Sequence, residues 1–412
     1  MEDFEHDRLG LYISVPFCRS KCTYCNFASG VYPASEHVRY ADRLIEDMAA
    51  ATAWAGRMRV DLPRQVDTIY LGGGTPSLLA PELIARLFAA MRTEFAIDSD
   101  AEITVECAPG QIADATLEAL ADAGVNRVSL GVQSFIDSEA QGSGRLHSRT
   151  VVLDDLKRLR RAGITNLNVD LIAGLAGQTF ASWQESLSVL IDAGVPHASI
   201  YMLEVDEDSR LGREMLAGGV RYHAELVPSD DTIARMYETA IERLGAAGLQ
   251  QYEISNFARR GRASRHNLRY WQRRPYLGLG LDASSALYAA EPAATAGPRH
   301  VLRSTTASDL KAFLDGLEPA ETAWLSPERQ HEEAWFLGLR LNAGVKPSAL
   351  RREFGREPVE RAFKVVASLT EEGLVTSDGR TVRLTAQGRL LSNDVFEQFL
   401  ETVAEESLLA AG

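Results

Sequence analysis

The sequence predicts an α/β protein: a partial (β/α)6 barrel over residues 1–290, a linker over 291–305, and a smaller winged-helix-like domain over 306–412. Three observations lead there. Short β-rich apolar runs alternate with amphipathic helical stretches through the first 290 residues, the pattern of a parallel sheet with helical crossovers. After the Ala-, Pro- and Gly-rich stretch Ala289–His300, clustered helices and a short hairpin replace that alternation. Finally, a chemically unusual group stands at the C-terminal end of each predicted strand.

The predicted strands are Leu11–Val15, Val66–Leu71, Ala101–Glu106, Arg127–Val132, Asn166–Leu171 and Ala198–Leu203. Between them, apolar residues recur at helical spacing in Ser35–Trp54, Pro81–Thr93, Asp114–Ala123, Thr150–Ala162 and Ser182–Ala193. About six such units fit a partial barrel better than the full eight. In the second domain, helices are expected at Pro327–Leu341, Pro347–Phe354 and Glu357–Glu372, with proline suited to a first helical position. Strands Leu374–Thr376 and Thr381–Leu384 follow around the turn signal Asp378-Gly379, and then a helix over Ala386–Glu401.

Composition narrows the function. The net charge of −14 disfavours nucleic acid as the main partner, because binding phosphates calls for a basic surplus. The acidic start MEDFEHDRLG is unlike a signal peptide, and no run of about 18 apolar residues suggests a spanning helix. Four cysteines in so long a chain are no disulfide framework, so a reducing cytoplasm is expected.

Three of those cysteines, Cys18, Cys22 and Cys25, form a CxxxCxxC run just after the first strand. A structural zinc site wants four closed ligands. Three thiolates suit an iron–sulfur cubane with one iron left open to bind something else. Cys107 reads as a small buried hydrophobe. The second strand ends in Gly72-Gly73-Gly74-Thr75-Pro76, whose bare backbone lets a ligand come close. The remaining strand ends carry Glu106, Gln133, Asp170 and Glu204. In α/β barrels this rim is where active sites are built. Carboxylates there suit ammonium or ribose hydroxyl groups, and Arg145 suits a carboxylate. Neither a Walker loop nor G-x-G-x-x-G opening a helix is present, so a nucleoside triphosphate or dinucleotide site is unsupported. The set fits S-adenosylmethionine, whose amino and carboxylate groups can chelate an open iron.

At this point the chain resembles the radical S-adenosylmethionine superfamily. More narrowly, it resembles the oxygen-independent coproporphyrinogen III oxidases and their HemW heme-chaperone branch. The resemblance rests on LYISVPFCRSKCTYCNF, YLGGGTPSLL, ITVECAPG, VNRVSLGVQSF, GRLHSR, NVDLIAGLAGQT, YEISNFAR, HNLRYW and RLTAQGRLLSNDVFEQF, in that order. It implies a [4Fe–4S] cluster on Cys18, Cys22 and Cys25. It implies S-adenosylmethionine contacts from Tyr12, Tyr24, Gly73, Gly74, Thr75, Glu106, Gln133, Arg145, Asp170 and Glu204. The sequence departs from the family at Ala283-Ser284-Ser285, where relatives carry a small-residue turn with histidine.

Two activities compete: a carrier that binds heme and hands it to a heme-requiring, possibly respiratory and membrane-associated protein, or a coproporphyrinogen III oxidase. The oxidases resemble CxxxCxxCxC, whereas here Phe27 stands two residues past the third cysteine, as in the HemW branch. The segment His266-Asn267-Leu268-Arg269-Tyr270-Trp271 matches the HNxxYW motif linked with heme in that branch. Histidine can ligate heme iron, and Tyr270 and Trp271 offer flat apolar faces. Arg259, Arg260, Arg262, Arg265, Arg269, Arg273 and Arg274 make the surroundings basic and suit propionates. The expectation is therefore a heme chaperone with heme as cargo at His266, Tyr270 and Trp271. The sequence leaves the oligomeric state open.

Overall fold

The computed structural model of the protein describes residues 8–219, 221–290, 298–316 and 321–400. Its centre is a row of six strands: β1 (Arg8–Val15), β2 (Gln65–Gly73), β3 (Ala96–Cys107), β4 (Arg127–Gln133), β5 (Asn166–Ala173) and β6 (His197–Met202). Each pairs in parallel with the next. Beyond β6 lie β7 (Gln250–Gln251) and β8 (Asn256–Ala258), with β8 antiparallel to β6. Beyond β1 lie β9 (Tyr276–Leu279), β10 (Ser284–Tyr288), β11 (Val301–Thr305) and β12 (Glu321–Leu325). Strand β9 is parallel to β1; β10 to β12 run antiparallel. Among the described residues the row's two ends do not pair, so the barrel is open, as predicted.

The two-residue period of the strands separates two environments. Leu9, Leu11, Ile13 and Val15 of β1 alternate with Gly10, Tyr12 and Ser14, and the four apolar residues are fully buried in the main core. In β4, Val128, Leu130 and Val132 do the same, leaving Arg127, Ser129, Gly131 and Gln133 to the concave side. In β5 that side receives Asn168 and Asp170. The concave face is therefore unusually polar for a parallel sheet.

The five helices predicted between the strands form at Ala34–Met58, Pro81–Glu94, Asp114–Asp122, Arg149–Arg161 and Phe180–Asp192. The last begins with a capping box: the Thr179 hydroxyl accepts from the Ser182 amide, and the Ser182 hydroxyl accepts from the Thr179 amide. Helices Arg210–Ala217 and Asp230–Ala246, absent from the sequence reading, follow β6.

The second domain holds Pro327–Arg340, Pro347–Phe354 and Arg356–Glu371, with the hairpin β13 (Val375–Ser377) and β14 (Val382–Leu384). Asp378 makes the hairpin turn by accepting from the amides of Arg380 (2.9 Å) and Thr381 (2.7 Å), with Gly379 at φ 77°. Trp335, Val359, Val366, Val382 and Phe399 share a separate core.

Three expectations need correction. The linker over 291–305 is not one: residues 291–297 lie outside the described residues, and Val301–Thr305 is β11, paired with β10. The Pro- and Gly-rich stretch joins two antiparallel strands rather than two domains. Leu310 and Phe313 pack in the barrel core, so the second domain starts near Pro327 rather than 306. The helix expected over Ala386–Glu401 is two, Ala386–Leu390 and Ser392–Leu400, and Glu401 lies outside the described residues.

Candidate functional site at the barrel mouth

The loop after β1 carries the cysteines and is clamped by backbone bonds from three directions. The Cys18 amide donates to Gly30 O (2.8 Å), the Thr23 amide to Ser143 O (3.1 Å), and the Leu211 amide to Thr23 O (2.9 Å). Arg210 also donates to Lys21 O (3.0 Å), and Asn26 donates to Asp206 (2.8 Å). The helix Arg210–Ala217 thus braces the cysteine loop. All four cysteines are free thiols. Thr75 Oγ1 sits 3.8 Å from Cys18 Sγ, and Ser29 Oγ 4.0 Å from Cys25 Sγ. Burial raises the Cys18 thiol's pKa, and neighbouring Cys25 and Cys22 add to the rise. Among the described residues, no three His, Cys, Asp or Glu converge to hold a single metal ion. Cys18, Cys22 and Cys25 all line one cavity.

The cysteines open onto a cavity of about 750 Å³ at the C-terminal ends of the strands. Its wall includes Tyr24, Gly73, Gly74, Thr75, Glu106, Gln133, Arg145, Asp170 and Glu204. Nine of the ten residues expected to contact S-adenosylmethionine therefore come together. Tyr12 is the exception: it lies one layer deeper, stacked on Tyr70 at 6.2 Å between ring centroids. Gly74 has a steric reason to be glycine. A Cβ there would stand 2.7 Å from Val15 O and 2.9 Å from Phe17 O.

Several of these groups are unfinished. Glu106 accepts from Tyr70 (2.8 Å) and from the Gly73 amide (3.2 Å). Burial nevertheless pushes its carboxyl up to about 7, with nearby Asp170 adding to the rise. Asp170 accepts from Ser129 (3.1 Å) and Asn168 (2.7 Å), and burial raises it too. Arg145 donates to Tyr24 (3.0 Å), yet its Nε is buried without a partner. Gln133 Oε1 is likewise buried and unpartnered, on a backbone held at φ 69°. Buried polar atoms without partners, beside a backbone in a costly region, mark a place where a ligand is expected. The donors and acceptors fit an amino acid zwitterion: carboxylates for its ammonium, Arg145 for its carboxylate, thiols for the cluster.

The HNLRYW segment is elsewhere. It forms the short helix Arg265–Trp271, whose His266 is seated on Thr68 near the N-terminal end of β2 and on Glu102 of β3, while its last residue, Trp271, reaches Arg340. His266 is fully buried, with Nδ1 3.0 Å from Thr68 Oγ1 and Nε2 2.8 Å from Tyr270 Oη. Arg269, also fully buried, donates to Asp67, Pro275 O and Arg8 O. Arg274 pairs with Asp67, Arg265 donates to Asp100 O, and Arg273 grips Glu353 through two bonds of 2.9 and 2.7 Å. The segment expected to meet heme at His266, Tyr270 and Trp271 is therefore set apart from the cysteine cavity. Both imidazole nitrogens are engaged, four of the arginines are committed, and His266 and Tyr270 lie outside the mouth cavity. Heme could reach His266 only if this helix left its seat.

The sequence reading missed Tyr201, Arg340, Ser392 and Asn393, which also line the cavity. Tyr201 was detectable by alternation along β6. The other three come from the second domain, and nothing local places them over the barrel.

Residues 12–190 match the Radical SAM superfamily and residues 325–391 the HemN C-terminal domain. The chain is 34% identical to the heme chaperone HemW of Bacillus subtilis, over 94% of this chain and 98% of that protein. It is 30% identical to the mitochondrial radical S-adenosyl methionine domain-containing protein 1 of Bos taurus, over 97% and 88%. The solved coproporphyrinogen III oxidase HemN of Escherichia coli superposes with a TM-score of 0.79, at 22% identity, over 96% of this chain and 90% of that one. With relatives of this identity matched almost end to end, the chain belongs to the HemW family within the radical SAM superfamily.

Proposed function

We propose that this protein is a heme chaperone: it binds heme and releases it to a heme-requiring protein in the cytoplasm or at a membrane's cytoplasmic face. The observation that carries the reading is the near end-to-end match to heme chaperones, with Phe27 rather than a cysteine two residues past Cys25. No helix among the described residues is long and apolar enough to cross a membrane, which fits at most peripheral contact.

In this reading Cys18, Cys22 and Cys25 hold a [4Fe–4S] cluster. Glu106 and Asp170 take the ammonium end of S-adenosylmethionine, and Arg145 and Gln133 take its carboxylate and remaining polar groups. Bound together, cluster and S-adenosylmethionine supply one-electron chemistry; the chain contributes orientation and exclusion of water. Glu106 enters the site as a neutral acid up to about pH 7 and gives up its proton when a cation arrives.

The test is to reconstitute the cluster anaerobically and offer heme and coproporphyrinogen III separately. Stable heme binding without decarboxylation supports the chaperone. Formation of protoporphyrinogen would establish the oxidase instead.

A further inference from the structure

The cavity's lining falls into two chemically different halves. The inner half is the polar, unfinished set around Glu106 and Arg145. Tyr201 belongs with that set, close to Asp170, Ser199 and Glu106, whereas the outer half, supplied by the end of β6 and the segments toward the second domain, includes Met202, Leu203, Tyr237 and Ile254. An amino acid zwitterion has little use for an apolar, aromatic wall of this kind. A flat macrocycle does.

One cation faces this outer half. Arg340, the last residue of helix Pro327–Arg340, lines the cavity with its guanidinium carbon 4.2 Å from the ring centre of Trp271. Its nearest acid is Glu253, fully buried, at 3.7 Å. That is an ion pair too long for a hydrogen bond. Among the described residues the Arg340 side chain makes no hydrogen bond, and its Nε is buried without a partner. A guanidinium has five donors in a fixed fork that matches a carboxylate. Here the fork lies over an indole and has hydrogen-bonding capacity to spare, in a cavity that Ser392 and Asn393 also line.

We infer that the outer half of the cavity is a binding site for a planar tetrapyrrole carboxylate, with Arg340 gripping one carboxylate and Trp271 holding Arg340 in place. The inference rests on the heme-chaperone reading and gives that reading a location. It also gives the HNLRYW segment a part in cargo binding while His266 stays sealed: Trp271 is a positioning residue that acts through Arg340. Inner and outer ligands are bound side by side.

The experiment is a set of heme titrations on the full-length, cluster-reconstituted protein, read by the Soret band. Heme is compared with heme dimethyl ester, whose carboxylates are masked. Wild type should prefer heme about tenfold or more, the worth of a charge-assisted hydrogen-bond pair. Arg340→Met should lose that preference and still bind S-adenosylmethionine, whereas Arg340→Lys should recover part of it. Saturating S-adenosylmethionine should leave heme bound. Wild type that binds the ester as tightly as heme overturns the site even if no variant folds. So does Arg340→Met protein that keeps the preference, or heme displaced competitively by S-adenosylmethionine. No heme binding at all by wild type overturns the chaperone reading, and the site with it.

Discussion

The two ends of the barrel are built from the same strands and differ in how the groups around His266 and around Glu106 are bonded. At the end nearer His266, the side chains of His266, Arg269, Asp67 and Thr68 are buried and bonded to one another, and His197 is held between Asn168 (2.6 Å) and Tyr252 (2.9 Å). At the mouth, Gln133 Oε1 and Arg145 Nε have no partner and Glu106 is pushed toward neutrality. Burial alone does not distinguish the ends. What differs is the bonding of the central cluster: His266, Arg269, Asp67 and Thr68 are bonded to one another, although Arg127 Nε, Asn166 Oδ1 and Trp271 Nε1 nearby are buried without partners. The histidine that looked most like a ligand in the sequence lies in that bonded cluster.

The largest effect should come from the cysteines. Replacing any one of Cys18, Cys22 and Cys25 by alanine removes a thiolate that no nearby residue can substitute, since Cys107 is buried with its thiol pushed up to about 12. Absorbance near the cluster band and iron content should fall to background. Cys107→Ala, at the same level of the barrel, should leave both unchanged.

The cluster around His266 makes the opposite prediction: large loss of stability and no direct loss of chemistry. Asp67→Ala leaves Arg269 buried at 0% exposure and Arg274 unpaired. Stranding a buried charge costs about 3–5 kcal/mol. Urea unfolding should show that loss. Protein that remains folded in low urea should still take up its cluster.

How much of this was legible follows from the kind of information each feature carries. Strand and helix positions are local, and β4, β5 and the helix Pro347–Phe354 fall almost where periodicity puts them. The mouth residues are local too, because a strand's end is fixed by its own sequence. The helix Asp230–Ala246 is legible by the same periodicity, with Ile233, Met236, Tyr237, Ala240 and Leu244 on one buried face. What no window of sequence contains is that Glu102 would accept from the amides of Arg265 and His266, more than 160 residues away. Those bonds seat the HNLRYW helix in the barrel and decide that its histidine is sealed.

Glu106 tests the mouth through pH. Its carboxyl is raised to about 7 in the fold against 4.5 in an unfolded chain, mainly by burial. Between those values the fold keeps a proton that the unfolded chain releases, so this group's contribution to stability falls as pH rises from about 4.5 to about 7. The full loss is roughly 3 kcal/mol. Relative to wild type, Glu106→Gln should therefore gain stability over that range in the absence of ligand. S-adenosylmethionine affinity should show the converse: weaker below about pH 7 in wild type, and low with little pH dependence in the variant. Calorimetry at pH 5, 6, 7 and 8 on both proteins reads both effects. Parallel stability profiles would remove Glu106 as the mouth's titrating acid.

The smallest predicted effect separates ligand-binding from fold-holding at a single residue. Gln133 stands at φ 69° at the end of β4, a conformation that glycine adopts freely and glutamine does not. Its Oε1 is buried with no partner, so in the free protein this side chain is a cost twice over. Gln133→Gly should raise the stability of the ligand-free protein by about 1 kcal/mol while weakening S-adenosylmethionine binding. A residue kept for the fold would show the reverse sign in unfolding. The same replacement at Asp67, in the bonded cluster around His266, can only destabilise. Unfolding curves for Gln133→Gly with and without S-adenosylmethionine should therefore cross, with the variant ahead without ligand and behind with it.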